Sequence, residues 1–283
     1  MSAVRIVDAH HHLWDLGVRD QDWITGLALA PLRRDFLLGD YRSVADTNGV
    51  VASVVVQTVT VPGETPELLA LAAVSNLIAG VVGWTDLAAA DVCDKIAALT
   101  EMPGGGKLVG LRHQVQTEPD PDWLTQPGVL RGLGAIARAG LVYDLVITAG
   151  QLDASARAAA AVPDLVFVLD HLGKPPIASG RTESWARDLR GLAALPNTVA
   201  KLSGLVTEAD WRRWQVTDLR PYAEVALDAF GPARMMFGSD WPVCTLAASY
   251  PDVLRAADDL TAGLSPAERA AVFAGTATSV YGL

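Results

Sequence analysis

Eight short apolar runs, most of them rich in β-branched residues, recur along the chain with helix-like segments between them. The runs cover residues 4–9, 52–58, 78–84, 108–115, 141–147, 165–170, 198–202 and 235–238. Val54-Val55-Val56 and Leu165-Val166-Phe167-Val168-Leu169 are continuously apolar rather than alternating, the pattern of strands buried on both faces of a parallel sheet. Helix-like segments lie at 66–75, 91–100, 128–139, 151–160, 183–195 and 219–230, and residues 265–280 read as a closing helix. Pro66-Glu67 suits a first helical turn, with an acid at the positive dipole end. Gly140 and Gly231 sit where a C′ glycine ends a helix. Eight strand–helix units are the number that closes a (β/α)8 TIM barrel. A doubly wound open sheet is built from the same pattern, and periodicity alone does not choose between them.

Length and composition fit that reading. No linker divides the 283 residues, so residues 1–283 are expected to form one domain. A hydrophobic content of 51% is too high for a disordered chain. No stretch approaches the roughly 18 uninterrupted apolar residues of a membrane span, so no membrane partner is expected. The formal net charge of −10 argues against a nucleic-acid partner, which calls for a basic surface. The two cysteines, Cys93 and Cys244, form no CxxC pair, and no secretory signal opens the sequence; both point to a reducing, cytoplasmic location. A small-molecule substrate is the partner expected, with the chain either a monomer or a homo-oligomer.

The chemistry collects where the strands end. The first run leads into Asp8-Ala9-His10-His11-His12, and strand alternation puts Asp8, His10 and His12 on one face and His11 on the other. Paired imidazoles there can bind a divalent metal or serve in acid–base chemistry. The fourth run ends Leu111-Arg112-His113, the sixth Leu169-Asp170-His171-Leu172-Gly173-Lys174, and the eighth Phe237-Gly238-Ser239-Asp240-Trp241-Pro242. Each has an ordinary reading as well: an ion pair for Arg112, a structural hydrogen-bonded pair for Asp170 and His171, a solvated charge for Lys174, a cap for Asp240. All five histidines nevertheless fall at strand ends, and strands one and eight are neighbours in a closed barrel. Gly104-Gly105-Gly106-Lys107 precedes a strand and lacks the spacing of a phosphate loop. No GxGxxG follows a strand and no GxSxG elbow is present, which disfavours a nicotinamide dehydrogenase and a serine hydrolase. Trp14, Trp84, Trp211, Trp214 and Trp241 flank the polar positions and could wall a pocket with faces that stack on sugars.

Taken in order, Asp8-Ala-His10-His-His12, Gly83-Trp84-Thr-Asp86, Gly110-Leu-Arg112-His113, Asp170-His171-Leu-Gly-Lys174-Pro175, Lys201-Leu-Ser203-Gly204 and Phe237-Gly238-Ser-Asp240-Trp241-Pro242 resemble the amidohydrolase-related family. Within it they are most similar to the sugar-lactonase branch that includes the L-fuconolactonases and L-rhamnonolactonases. The resemblance implies a (β/α)8 barrel with its site at the C-terminal mouth and hydrolysis of an aldonolactone such as L-fuconolactone to its hydroxy acid. It implies catalytic roles for His10, His12, His171 and Asp240, the same four being the metal ligands if a metal is present. The expected cofactor is therefore none or one divalent ion, zinc first. A two-metal centre is not expected, because strand four ends in Arg112-His113 and strand five holds no histidine. Asp240 is expected to be the general base on water, with the histidines, Arg112 or one metal polarising the carbonyl. Arg112, His113, Trp14, Gln57, Trp84, Lys174, Glu208 and Trp241 are the expected substrate-binding residues. The alternatives are a metal-dependent decarboxylase, another hydrolase of the superfamily acting on a small cyclic or aromatic acid, and a non-enzymatic sugar-acid binder.

Overall fold

The computed structural model describes residues 5–283. Its eight strands are β1 (Ile6–His11), β2 (Val50–Val56), β3 (Ile78–Gly83), β4 (Leu108–His113), β5 (Val142–Leu145), β6 (Phe167–Leu169), β7 (Thr198–Leu202) and β8 (Met235–Phe237). They pair in parallel in chain order, β1 to β8. The principal helices are α1 (Leu38–Thr47), α2 (Glu64–Ala73), α3 (Val92–Glu101), α4 (Pro127–Arg138), α5 (Leu152–Ala161), α6 (Glu183–Ala193), α7 (Val216–Phe230) and α8 (Tyr250–Leu260), one after each strand. All eight expected strands are present, within a few residues of their expected bounds, though Val4 of the first run lies outside the described residues. Helices α1 and α8 were not among the expected segments. The apolar face of α1 is confined to Tyr41, Ala45 and a few neighbours. Helix α8 is announced by a capping box in which the Ser249 hydroxyl accepts from the Asp252 amide.

The sheet closes on itself just past the ends of β1 and β8. Asp240 N donates to the carbonyl of His10 at 2.8 Å, and His12 N donates to the carbonyl of Trp241 at 2.7 Å. This closure selects the barrel over the open sheet. It also sets three of the four expected catalytic residues, His10, His12 and Asp240, side by side by backbone bonding alone.

Two apolar layers hold the barrel. The outer one packs the strands against the helices, with Leu111, Leu133, Leu169, Leu189 and Phe237 all buried. The inner one fills the lumen with Val7, Ala9, Val54, Val56, Val82, Val142, Val168, Val199 and Met236. The C-terminal run, residues 266–281, is helical throughout with one wide turn at Ala271–Gly275. It caps the N-terminal end of the barrel and sends Ala277 and Tyr281 into the lumen.

The first strand departs from simple alternation. Asp8 pairs with Ser53 and His11 with Val55, so three residues of β1 advance against two of β2. This bulge carries one extra residue and turns Asp8 and His10 to opposite faces. The expectation that they share a face is corrected accordingly. Asp8 points outward and joins the barrel to its helices: it accepts from Tyr41 Oη at 3.0 Å, Tyr250 Oη at 3.1 Å, Ser239 Oγ at 2.7 Å and Ser239 N at 2.8 Å. Replacing Asp8 with Ala would leave these buried donors without an acceptor, at ~1–3 kcal/mol for each unsatisfied group. Urea unfolding should therefore show Asp8→Ala less stable by at least about 3 kcal/mol. A loss below about 1 kcal/mol would contradict the role of Asp8 as a junction.

Candidate active site

Above the apolar lumen lies a charged layer. On β4, β5, β6 and β7 the inward Gly110, Val142, Val168 and Val199 are each followed two residues later by Arg112, Asp144, Asp170 and Lys201, and period-two alternation keeps those side chains inside the barrel. All four are buried. Lys201 Nζ lies 2.5 Å from Asp144 Oδ2 and 3.0 Å from Asp170 Oδ1, and Arg112 Nη1 lies 2.9 Å from Asp170 Oδ2. Burial alone would raise the pKa of Asp170, but Lys201, His10 and Arg112 outweigh it and hold the carboxyl well below its ordinary value.

His10, His12, His171 and Asp240 sit on this floor. His10 Nε2 is 3.2 Å from His12 Nε2 and 3.7 Å from Asp240 Oδ1. His12 Nε2 and His171 Nε2 are 3.4 Å and 3.9 Å from the same oxygen. The far nitrogens of two rings are anchored: His12 Nδ1 donates to the carbonyl of Val56 at 2.7 Å, and His171 Nδ1 is hydrogen-bonded to Ser203 Oγ at 2.9 Å. Burial works against the charge on Asp240, yet His171, His12 and Lys174 keep its pKa below the ordinary value. Burial lowers His171 to about 4 despite Asp240 and Asp170, so its ring is neutral at pH 7.

The local backbone is unusual where the site is made. His171, Leu172, Lys174 and Asp240 all have φ between 52° and 58°, in the left-handed region that non-glycine residues seldom occupy. Two glycines admit the close approach that follows. A Cβ on Gly238 would meet His10 Cβ at 2.7 Å, and one on Gly204 would meet His171 Nδ1 at 2.5 Å.

A cavity of about 480 Å³ opens over the cluster. Of the expected residues, His12, Arg112, His171, Lys174, Glu208 and Asp240 line it. His10 is buried beneath them, and Gln57 lies behind Arg112, its amide donating to the Arg112 carbonyl at 3.1 Å. The ion pair foreseen for Arg112 is present, with Asp170 as partner, and Arg112 lines the cavity as well. Trp14, Trp84, His113 and Trp241 do not line the cavity. Trp84 Nε1 donates to His113 Nδ1 at 2.9 Å, and His113 Nε2 pairs with Glu118 at 2.7 Å while its ring stacks on Trp123. That set satisfies itself away from the site. Trp14 and Trp241 pack against Phe36 in the outer core, and Trp211 and Trp214 donate to backbone carbonyls. The tryptophan that does face the cavity is Trp23, joined by Asp22, Thr58, Thr60, Gln114, Gln116, Thr117 and Thr207. Thr58 and Gln114 lie just past β2 and β4, at expected strand ends, and the others lie on loops and short helical turns with no motif to mark them. Lys201 and Asp144, in contrast, carried a signal: a charge inside a run of otherwise buried strand residues needs a partner.

The donor set fits a zinc ion. With bonds of ~2.0 Å, tetrahedral zinc spaces its ligand atoms about 3.3 Å apart. His10, His12 and Asp240 present nitrogen and carboxylate donors within 3.2–3.7 Å of one another. His12 and His171 also have the second partner that metal-bound imidazoles usually have.

Comparison with known proteins agrees with the geometry. The amidohydrolase family profile matches residues 7–283. The chain is 41% identical to an L-fucono-1,5-lactonase of Burkholderia multivorans, over 100% of this chain and 97% of the relative. It is 37% identical to an L-fucono-1,5-lactonase of Burkholderia ambifaria, over 97% and 94%. A crystal structure of a Burkholderia multivorans amidohydrolase with bound zinc superposes with a TM-score of 0.92 at 41% identity, covering 99% of both chains. By its motifs, its fold and these matches, the chain belongs to the amidohydrolase family.

Proposed function

We propose that this protein is a lactonase that opens a neutral sugar-acid lactone, of the L-fucono-1,5-lactone type, to its hydroxy acid. The observation that carries the reading is a carboxylate, Asp240, ringed by three imidazoles at the base of a cavity whose wall is rich in neutral hydrogen-bonding side chains. A polyhydroxylated ring suits Thr58, Thr60, Gln114, Gln116, Thr117 and Thr207. A substrate bearing a carboxylate, as a decarboxylase requires, suits the cavity poorly. Its cations are Lys174 and Arg112, and the latter is already paired with Asp170, whereas Asp22, Glu208 and Asp240 supply negative charge. The L-fucono-1,5-lactonases at 37–41% identity support the same choice.

In this reading Asp240 takes a proton from water as the water attacks the lactone carbonyl. The growing negative charge on the carbonyl oxygen is met by the Nε2–H of His171, whose Nδ1 then accepts from Ser203, and by Lys174 and Arg112 on the cavity wall. Protonated Asp240 then returns its proton to the ring oxygen as the acyl–oxygen bond breaks. Glu208 is half-buried, and this partial burial, with Asp240 nearby, raises its pKa against the opposing pull of Lys174. It is suited to a hydrogen bond with a sugar hydroxyl. A zinc ion held by His10, His12, His171 and Asp240 would add Lewis-acid polarisation of the carbonyl and acidify a bound water. Among the described residues no helix is long and apolar enough to cross a membrane.

Two outcomes test the proposal. A pH-indicator screen of aldono-1,4- and 1,5-lactones should find at least one substrate with kcat/KM above about 10⁴ M⁻¹s⁻¹; complete inertness toward the set would remove the reading. With that substrate, Asp240→Asn should lower kcat by roughly 10²–10⁴-fold with thermal unfolding little changed. Near wild-type turnover in the variant would assign the base elsewhere.

A further inference from the structure

Among the site imidazoles, His12 and His171 each have a fixed partner on Nδ1, but His10 Nδ1 lies between two groups of opposite kind. Lys201 Nζ is 3.2 Å from it, and Asp170 Oδ1 is also 3.2 Å away. A neutral imidazole carries one proton, so only one of these neighbours can be satisfied at a time. With the proton on Nδ1, Asp170 accepts it and Nε2 presents a lone pair. With the proton on Nε2, Lys201 donates to Nδ1 and the Nε2–H is directed at His12 Nε2, 3.2 Å away.

The surroundings favour the second arrangement. The Val56 carbonyl can only accept, so His12 carries its proton on Nδ1 and its Nε2 is bare. An ammonium can only donate, so a chain from Lys201 through His10 and His12 to Val56 runs in one direction with each donor matched to an acceptor. Arg112 Nη1, 3.4 Å from His10 Nε2, favours the other form, but its nearer partner is Asp170 at 2.9 Å. Lys201 is fixed in turn by Asp144 at 2.5 Å, which accepts from Tyr281 Oη of the C-terminal run at 2.9 Å.

We propose that Lys201 is a positioning residue that holds His10 in its Nε2–H form and so sets a threshold against zinc binding at His10, His12 and Asp240. To admit the ion, the proton moves from Nε2 to Nδ1 and the partner of Nδ1 changes from Lys201 to Asp170. The ring stays neutral, Lys201 keeps both carboxylates, and no other proton or electron moves. Lys201 thereby decides whether His10 serves as a hydrogen-bond donor or as a metal ligand, without itself facing the cavity.

Nitrogen-15 NMR of histidine-labelled, chelator-treated protein, assigned against a His10→Gln sample, reads the tautomer directly. The wild type should show His10 protonated on Nε2 and convert to the Nδ1–H form as zinc is added. Lys201→Met, which keeps the chain length and removes the donor, should be in the Nδ1–H form before zinc is added. In a competition titration that variant should bind zinc roughly 10-fold more tightly, the scale on which partners of metal ligands act. A wild-type His10 already protonated on Nδ1 would overturn the proposal, as would a folded Lys201→Met with zinc affinity unchanged or weaker. The wild-type spectrum decides the matter even if the variant does not fold. Neither readout uses a substrate, so the lactonase reading is tested separately.

Discussion

Arg112, Asp144 and Lys201 on β4, β5 and β7, with Asp170 just past the end of β6, place two positive and two negative charges inside the barrel. Such charges are tolerated in a buried setting only when they compensate one another, and losing one partner of a buried pair costs about 3–5 kcal/mol. The ion pairs among them make a rigid polar floor between the apolar lumen and the cavity. His10 rests on this floor, and the cluster at the mouth is built up from His10. From below, Tyr281 ties the same floor to the C-terminal run, so the cap of the barrel and the base of the cavity share one hydrogen-bonded path.

Barrel closure supplies the second half of the arrangement. The bonds from Asp240 N to His10 O and from His12 N to Trp241 O are sheet closure and site assembly at once. They hold Asp240 in a left-handed conformation with its carboxylate toward three imidazoles. Asp240 remains ionised because its neighbours offset burial, and His171 remains neutral because burial prevails over its neighbours. A base and an uncharged hydrogen-bonding ring are what a water-activating site at neutral pH needs.

The barrel was legible in the sequence because its strands are continuous apolar runs that end in polar residues, and β7 was located to the residue. His10, His12, His171 and Asp240 were legible because strand ends are where a barrel places chemistry. Asp8 was misread because alternation assumes a regular strand, and the bulge that reverses it leaves no mark in Asp8-Ala9-His10. The tryptophans misled for another reason: a large ring near a polar motif packs into a core more often than it faces a ligand, as Trp14 and Trp241 do, while the half-buried Trp84 is taken up by His113. Trp23, Thr60 and Thr117 reach the cavity through loop paths that only the folded chain defines, whereas Thr58 and Gln114 follow the ends of β2 and β4 and could have been found there. Lys201 and Asp144 could have been found by asking what a charge does in the middle of a buried strand.

The account centres on Asp240 as the base that directs water to the lactone carbonyl, and oxygen tracing tests this most directly. Single turnover in H₂¹⁸O, followed by mass spectrometry of product and protein, should place one ¹⁸O in the product carboxylate. None should appear in the released hydroxyl or in the peptide containing Asp240. Label in the hydroxyl would show cleavage on the alkyl side of the ester, and label in Asp240 would show a covalent acyl intermediate. Either result would contradict the account.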